Sequence, residues 1–206
     1  MAVNDAALVA KVSQVLLSPE CQRINFRWGK MHVNAKAYRA IVFAMVDSRI
    51  HLYEASAKHK LSDGAEAVYR GSIETMIIQP RLDIHNIYNR MTIVHESTHA
   101  VQDAELAEEW VWQLDKEAIA FVAEWLFDIY SSSNPRHLKN NSDPDDPIEV
   151  IALEIARSLA DKPGASPDPA AMRRLGDAIF KDPTYSVRML LRPWSRGDGV
   201  PEPDFP

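Results

Sequence analysis

The sequence has 206 residues, of which 46% are hydrophobic and 25% are charged, and this balance is typical of a globular protein rather than a disordered one. A chain of this length buries roughly 70% of its unfolded surface on folding, so one domain with a full core is expected. The 29 acidic residues outnumber the 23 basic residues, and the formal charge of −6 argues against a nucleic-acid partner or an anionic membrane surface.

Cysteine content and hydropathy exclude further classes of protein. Cys21 is the single cysteine, which excludes an intrachain disulfide framework and a cysteine-rich zinc ribbon. No uninterrupted apolar stretch approaches the roughly 20 residues that span a bilayer, and the N-terminus does not resemble a secretory signal. We therefore expect a cytoplasmic protein with no membrane partner, and the sequence leaves the oligomeric state open.

The N-terminal elements are predicted to be mainly helical. Apolar residues recur at spacings of three and four over residues 5–17. Asn34 can cap a second helix that runs through Met45. Residues 49–53 are compatible either with more helix or with a short strand.

One segment, residues 67–79, predicts a strand because β-branched and other apolar residues dominate it. Gly71 interrupts it as a candidate bulge, and Pro80 ends it. Asp83 then fits the N-cap of a helix over residues 84–103. One modest sheet among many helices is an α+β architecture.

Helical periodicity continues in three later segments, residues 105–130, 147–160 and 168–180. The polar residues 131–147 and the Pro/Gly/Ser-rich residues 162–169 predict surface connections. Neither connection is long enough to contain another domain. We therefore predict a single domain over residues 1–192 and a proline-rich, flexible tail over residues 193–206.

The most informative residues are His95-Glu96-Ser97-Thr98-His99, an H-E-x-x-H pattern. Two histidines four apart on a helix project from the same face and can bind one metal ion. The adjacent Glu96 can take a proton from an activated water molecule without being a ligand, as metal-assisted amide hydrolysis requires. The alternative is a pair of histidines with ordinary hydrogen-bond partners and a glutamate at the surface.

A catalytic zinc site of this kind needs a third protein ligand from further along the chain. In metzincin-type sites a glycine three residues after the second histidine lets the chain turn back, but here that position is Gln102, and Glu105 on a continued helix points away. Glu117 follows His99 by 18 positions (117 − 99), enough for the chain to return, and its apolar surroundings make an unpaired carboxylate costly. Glu124 is the alternative ligand or an outer hydrogen-bond acceptor, unless both glutamates simply face solvent.

The segment of residues 94–103, followed by Glu117-Ala118-Ile119-Ala120-Phe121, resembles the gluzincins, which are zinc metallopeptidases of the thermolysin-like class. The resemblance implies a mostly helical, zincin-like α+β fold with a small antiparallel or mixed sheet packed on the motif helix. It also implies a peptide or protein substrate and one Zn²⁺ per chain. The implied site consists of the ligands His95, His99 and Glu117 and the general base Glu96.

The sequence departs from the thermolysin-like pattern at the partner that orients a ligand histidine. Those enzymes have an aspartate four residues after the glutamate ligand, where this chain has Phe121, so Asp103 or Asp115 is the candidate replacement. The resemblance also implies that residues 73–79 form the edge strand that aligns the substrate. The candidate donors to the oxyanion are Tyr185, His137 and Arg188.

The sequence therefore predicts a zinc-dependent peptidase or amidase. Two alternatives remain open. One is a zinc-bearing but inactive member that uses its cleft as a binding module, which Phe121 and the unassigned oxyanion donor favour. The other is a metal-free helical interaction protein.

Overall fold

The computed structural model describes residues 4–61, 65–106, 110–132, 145–185 and 194–196. Over these residues the chain has the predicted α+β fold. The helices are α1 (Ala6–Leu16), α2 (Ala35–Val46), α3 (Ile87–Glu105), α4 (Gln113–Ser131), α5 (Pro147–Leu159) and α6 (Pro169–Lys181). The strands are β1 (Asn25–Trp28), β2 (Met31–Asn34), β3 (His51–Glu54), β4 (Ala67–Arg70), β5 (Thr75–Ile78), β6 (Trp110–Trp112) and β7 (Trp194–Arg196). None of the helices within these ranges is both long and apolar enough to cross a lipid bilayer.

Local capping signals determine where four of the helices begin. α1 and α2 follow Asp5 and Asn34, whose side-chain oxygens accept hydrogen bonds from backbone N–H groups of the first turn. α5 and α6 begin with a proline that is preceded by a capping aspartate, Asp146 or Asp168. A cap of this type contributes about 1 kcal/mol. These four starts confirm the sequence prediction.

The motif helix α3 begins three residues later than predicted (87 − 84). The side chain of Asn86 accepts a hydrogen bond from the Tyr88 backbone N–H at 2.9 Å and is the N-cap. Asp83, the predicted cap, instead accepts from the His85 backbone N–H in the preceding turn. The prediction was wrong because both residues are good capping types, and the turn between them decides which one precedes the helix.

The helix predicted over residues 105–130 begins only at Gln113, because the residues just before it form β6. β6 pairs antiparallel with β7, whose first residue lies 82 positions downstream of the last residue of β6 (194 − 112). β7 falls within the segment predicted to be a flexible tail, and residues 193 and 197–206 lie outside the described part of the chain. Local periodicity cannot report a pairing between such distant segments.

The main sheet has three strands in the order β3–β5–β4, with β3 parallel and β4 antiparallel to β5. The continuous strand predicted over residues 67–79 is wrong, because β4 and β5 form a hairpin joined by a 3₁₀ turn, Gly71–Ile73. Glu74 completes the reversal with a left-handed backbone (φ 45°). β5 lies in the centre of the sheet and is buried along its length, so residues 73–79 are not the free edge that the prediction required. The edge nearest the motif helix belongs to β4.

The hydrophobic core forms where α4 packs against α3, α5 and α6. Side chains such as Ile93 on α3 and Ile119 on α4 are fully buried, and each contributes about 1.5–3 kcal/mol relative to exposure. The buried Tyr38 of α2 joins this core through a 2.7 Å hydrogen bond between its hydroxyl and the Thr98 hydroxyl of α3. The motif helix is therefore supported by α2, α4 and β4.

Candidate metal centre

The packed pair α3 and α4 brings the three predicted ligand residues together. His95 and His99 are four residues apart on α3, and Glu117 lies in the second turn of α4. Glu117 Oε2 is 3.5 Å from His95 Nε2 and 3.4 Å from His99 Nε2, and the two Nε2 atoms are 3.3 Å apart. Within the described part of the chain, these residues form a group that can hold a metal ion.

Hydrogen bonds on the far sides of the imidazoles determine which ring nitrogens face the centre. His95 Nδ1 donates to Glu124 Oε2 at 2.9 Å, and His99 Nδ1 lies 3.0 Å from Gln102 Oε1. Gln102 Nε2 donates to the Lys116 carbonyl oxygen at 2.7 Å, so the oxygen end of the amide must face His99. Each Nδ1 therefore carries a hydrogen, and a neutral ring presents the lone pair of Nε2 to the centre.

Burial makes the close approach of Glu117 to the two histidines costly unless a positive charge lies between them. Glu117 is 4% exposed and His95 is 8% exposed, so water solvates neither group well. A carboxylate oxygen and two imidazole lone pairs within 3.5 Å of one another repel in a poorly solvated site. A proton or a metal ion removes that repulsion.

The pKa directions show that the centre attracts positive charge. Burial lowers the pKa of His95, but the hydrogen bonds to Glu117 and Glu124 outweigh it and hold that pKa well above its usual value. Burial raises the pKa of Glu117, but the charges and hydrogen bonds of His99 and His95 hold it well below the usual range. The metal-free centre therefore favours a protonated His95 beside an ionised Glu117.

Glu96 lies beside the centre and is anchored by the edge of the sheet. Its Oε2 accepts a 2.7 Å hydrogen bond from the backbone N–H of Tyr69 on β4. Burial raises the pKa of Glu96, while His95, His99 and the Tyr69 N–H oppose the shift. A carboxylate with a raised pKa can accept a proton and return it near neutral pH, as a general base and acid must.

The aspartates predicted to orient a ligand histidine do not do so. Asp103 accepts a 3.2 Å hydrogen bond from the Tyr69 hydroxyl. Asp115 accepts from the Trp28 side chain, while burial raises the pKa of Asp115. The prediction was wrong because Gln102, one residue before Asp103, turns towards the histidine instead.

Gln102 is the site residue that the sequence prediction missed. Its signal was the spacing of three from His99, because side chains three apart on a helix are neighbours. Glu124 was expected either as a ligand or as an outer acceptor. In the structure Glu124 is an outer acceptor, which binds His95 Nδ1.

Aromatic rings border the centre on the α4 side. The Phe121 ring is edge-on to His95 with centroids 4.8 Å apart, and the Tyr185 ring is edge-on to Phe121 at 6.0 Å. Burial, together with the charges of the nearby glutamates, raises the pKa of the Tyr185 phenol. The hydroxyl therefore stays protonated and can donate a hydrogen bond. The other two donor candidates, His137 and Arg188, lie outside the described residues.

Comparisons of this chain with protein-family models, with curated proteins and with solved structures find no match. The resemblance to gluzincins therefore depends on the motif and on the spacing of the three candidate ligands.

Proposed function

We propose that this protein is a zinc-dependent peptidase or amidase. The observation that carries the proposal is the convergence of His95, His99 and Glu117 beside an anchored Glu96. The gluzincin resemblance supplies the substrate class, a peptide bond.

The distances between the candidate ligand atoms support zinc. Ligands at about 2.0–2.1 Å from a tetrahedral zinc ion lie about 3.3–3.4 Å from one another. The three separations here are 3.3, 3.4 and 3.5 Å. Two imidazoles and one carboxylate form the donor set of a catalytic zinc site, in which a water molecule or the substrate takes the fourth position.

Each residue of the centre has a separate role in the proposed hydrolysis. When bound, the zinc ion supplies Lewis acidity, which lowers the pKa of a water molecule and polarises the substrate carbonyl. Glu96 takes the proton that the water loses as its oxygen bonds to the carbonyl carbon. The same carboxyl group delivers that proton to the nitrogen as the C–N bond breaks. Its anchoring by the Tyr69 N–H keeps the carboxyl group in place during both transfers.

Tyr185 is the candidate donor to the oxyanion within the described residues. Its ring is held edge-on against Phe121, and its phenol lies within the field of Glu117, Glu124 and Glu96. A protonated hydroxyl can stabilise negative charge on the former carbonyl oxygen. We propose that role for Tyr185.

The test combines a metal assay with a hydrolysis assay. Purified protein is reconstituted with zinc, freed of loosely bound metal, analysed for its elements and incubated with a library of internally quenched peptides. Glu96→Gln is compared with Glu154→Gln, because Glu154 is an exposed glutamate on α5 that pairs with Arg174. The proposal expects one zinc per chain in all three proteins and hydrolysis that Glu96→Gln alone abolishes.

Other outcomes separate the alternative functions. Zinc at one equivalent without hydrolysis of any peptide indicates the inactive binding module. Zinc far below one equivalent, with no change in melting temperature on addition of zinc, indicates the metal-free interaction protein.

A further inference from the structure

We infer that Gln102 is a positioning residue that holds the His99 imidazole as its Nδ1–H tautomer, with Nε2 directed at Glu117. The inference rests on the proposed metal centre for its purpose, but the hydrogen bonds that support it belong to the protein alone. No sequence motif points to a glutamine in this role.

The side chain of Gln102 is fully buried, and both ends of its amide are engaged. The oxygen lies 3.0 Å from His99 Nδ1, and the nitrogen donates to the Lys116 carbonyl oxygen at 2.7 Å. Rotating the amide by half a turn would place its oxygen against the Lys116 carbonyl oxygen. The hydrogen bond to Lys116 therefore determines the hydrogen bond to His99. An amide held in this orientation accepts a hydrogen only from Nδ1–H, which leaves Nε2 as the metal-facing atom.

The same amide connects the two helices that supply the ligands. Lys116 immediately precedes Glu117 on α4, so the hydrogen bond from Gln102 fixes the backbone next to the third ligand. His99 and Glu117 are thereby positioned relative to each other through one side chain. A change at Gln102 should therefore alter the geometry of a ligand pair and not only one ring.

The charges of the centre explain why an amide suits this position better than a carboxylate. Glu96, Glu117 and Glu124 already place three carboxylates around the two histidines. A fourth carboxylate at the fully buried position 102 would add a further desolvation cost. Gln102 orients His99 without adding charge, whereas the partially exposed Glu124 orients His95 with a charge.

The direct test is the tautomer of His99 in the unmodified, zinc-free protein. Two-bond ¹⁵N–¹H correlation spectra of uniformly labelled protein at pH 8 distinguish an Nδ1–H ring from an Nε2–H ring. We expect the Nδ1–H form for His99. A predominant Nε2–H form would overturn the inference, and this measurement needs neither a variant nor a bound metal.

Variants test whether the orientation affects the metal. Gln102→Met removes both hydrogen bonds with little change of volume. Gln102→Glu keeps an acceptor for His99 Nδ1 but loses the donor to the Lys116 carbonyl oxygen. The matched control is Gln22→Met, because Gln22 also donates to a backbone carbonyl, that of Leu16, and accepts from a side chain, that of Arg39. Zinc dissociation constants are measured by competition with a chromophoric chelator.

We expect Gln102→Met to weaken zinc binding by about 10–100-fold, as the loss of an outer partner of a metal ligand does. Gln22→Met should leave the zinc dissociation constant unchanged. Gln102→Glu should retain the Nδ1–H tautomer of His99, but it should also bind zinc more weakly, because a carboxylate oxygen then lies against the Lys116 carbonyl oxygen. Equal effects of Gln102→Met and Gln22→Met, or an unchanged affinity in Gln102→Met, would overturn the inference. If the unmodified protein binds no zinc, the proposed function fails, and the tautomer spectrum still decides the role of Gln102.

Discussion

Replacing Glu117 by glutamine tests the metal centre most directly, because this residue is the one ligand that α4 contributes. At free zinc 100-fold above the dissociation constant, binding stabilises the native state by about 2.7 kcal/mol. With an unfolding entropy of about 2.1 cal/mol/K per residue, this stabilisation of a chain of 206 residues corresponds to a rise of about 6 °C in Tm.

A Glu117→Gln protein keeps the shape of the side chain but lacks the charge that faces His95 and His99 at 3.5 and 3.4 Å. Losing an outer partner already costs up to about 100-fold in metal affinity, so losing a ligand should cost at least as much. At the same zinc concentration the remaining stabilisation is then about 0.4 kcal/mol, which corresponds to a shift of about 1 °C.

The assay is thermal unfolding of each variant with and without zinc. Because each protein is compared with its own zinc-free form, the effect of removing a buried charge from the metal-free protein cancels. Glu124→Gln should give an intermediate rise, and Glu154→Gln, whose side chain is 61% exposed, should keep the full rise. A full zinc-dependent rise in Glu117→Gln would refute the assignment of Glu117 as a ligand.

Three further predictions concern the reaction and the support of the motif helix. Glu96→Gln should keep the zinc-dependent rise in Tm and lower the rate of peptide hydrolysis by at least about 100-fold; retained hydrolysis would contradict its role as the base. Tyr185→Phe should lower kcat by about 100-fold or more with an unchanged zinc dissociation constant, and an unaltered kcat would place the oxyanion donor elsewhere. Tyr38→Phe removes the hydrogen bond to Thr98 and should reduce the free energy of unfolding by about 1 kcal/mol in urea titrations. An unchanged urea midpoint would mean that this bond contributes nothing net.

The sequence by itself determined the features that depend on neighbouring residues. Asp5, Asn34 and Asp168 start helices because each side chain reaches N–H groups only two or three residues ahead. His95 and His99 share a face of α3 for the same local reason, since four residues nearly complete a helical turn. The candidate ligand Glu117 was also predictable, because a carboxylate on an apolar stripe requires a positive partner.

Tertiary structure determined the features that depend on contacts between distant segments of the chain. The start of α4 at Gln113 depends on the pairing of Trp112 with Trp194, which no local pattern contains. The division of residues 67–79 into two strands depends on β5 lying between β3 and β4.

The outer hydrogen bonds of the candidate metal centre were decided in the same way. The sequence offered Asp103, Asp115 and Glu124 as outer partners of the histidines and did not identify Gln102, which lies three residues after His99. The choice among them depends on where α4 and β4 lie against α3, because the Lys116 carbonyl orients Gln102 and the Tyr69 hydroxyl engages Asp103. Hydrogen bonds between elements have a range of about 3 Å, so only the packed positions of those elements could determine them.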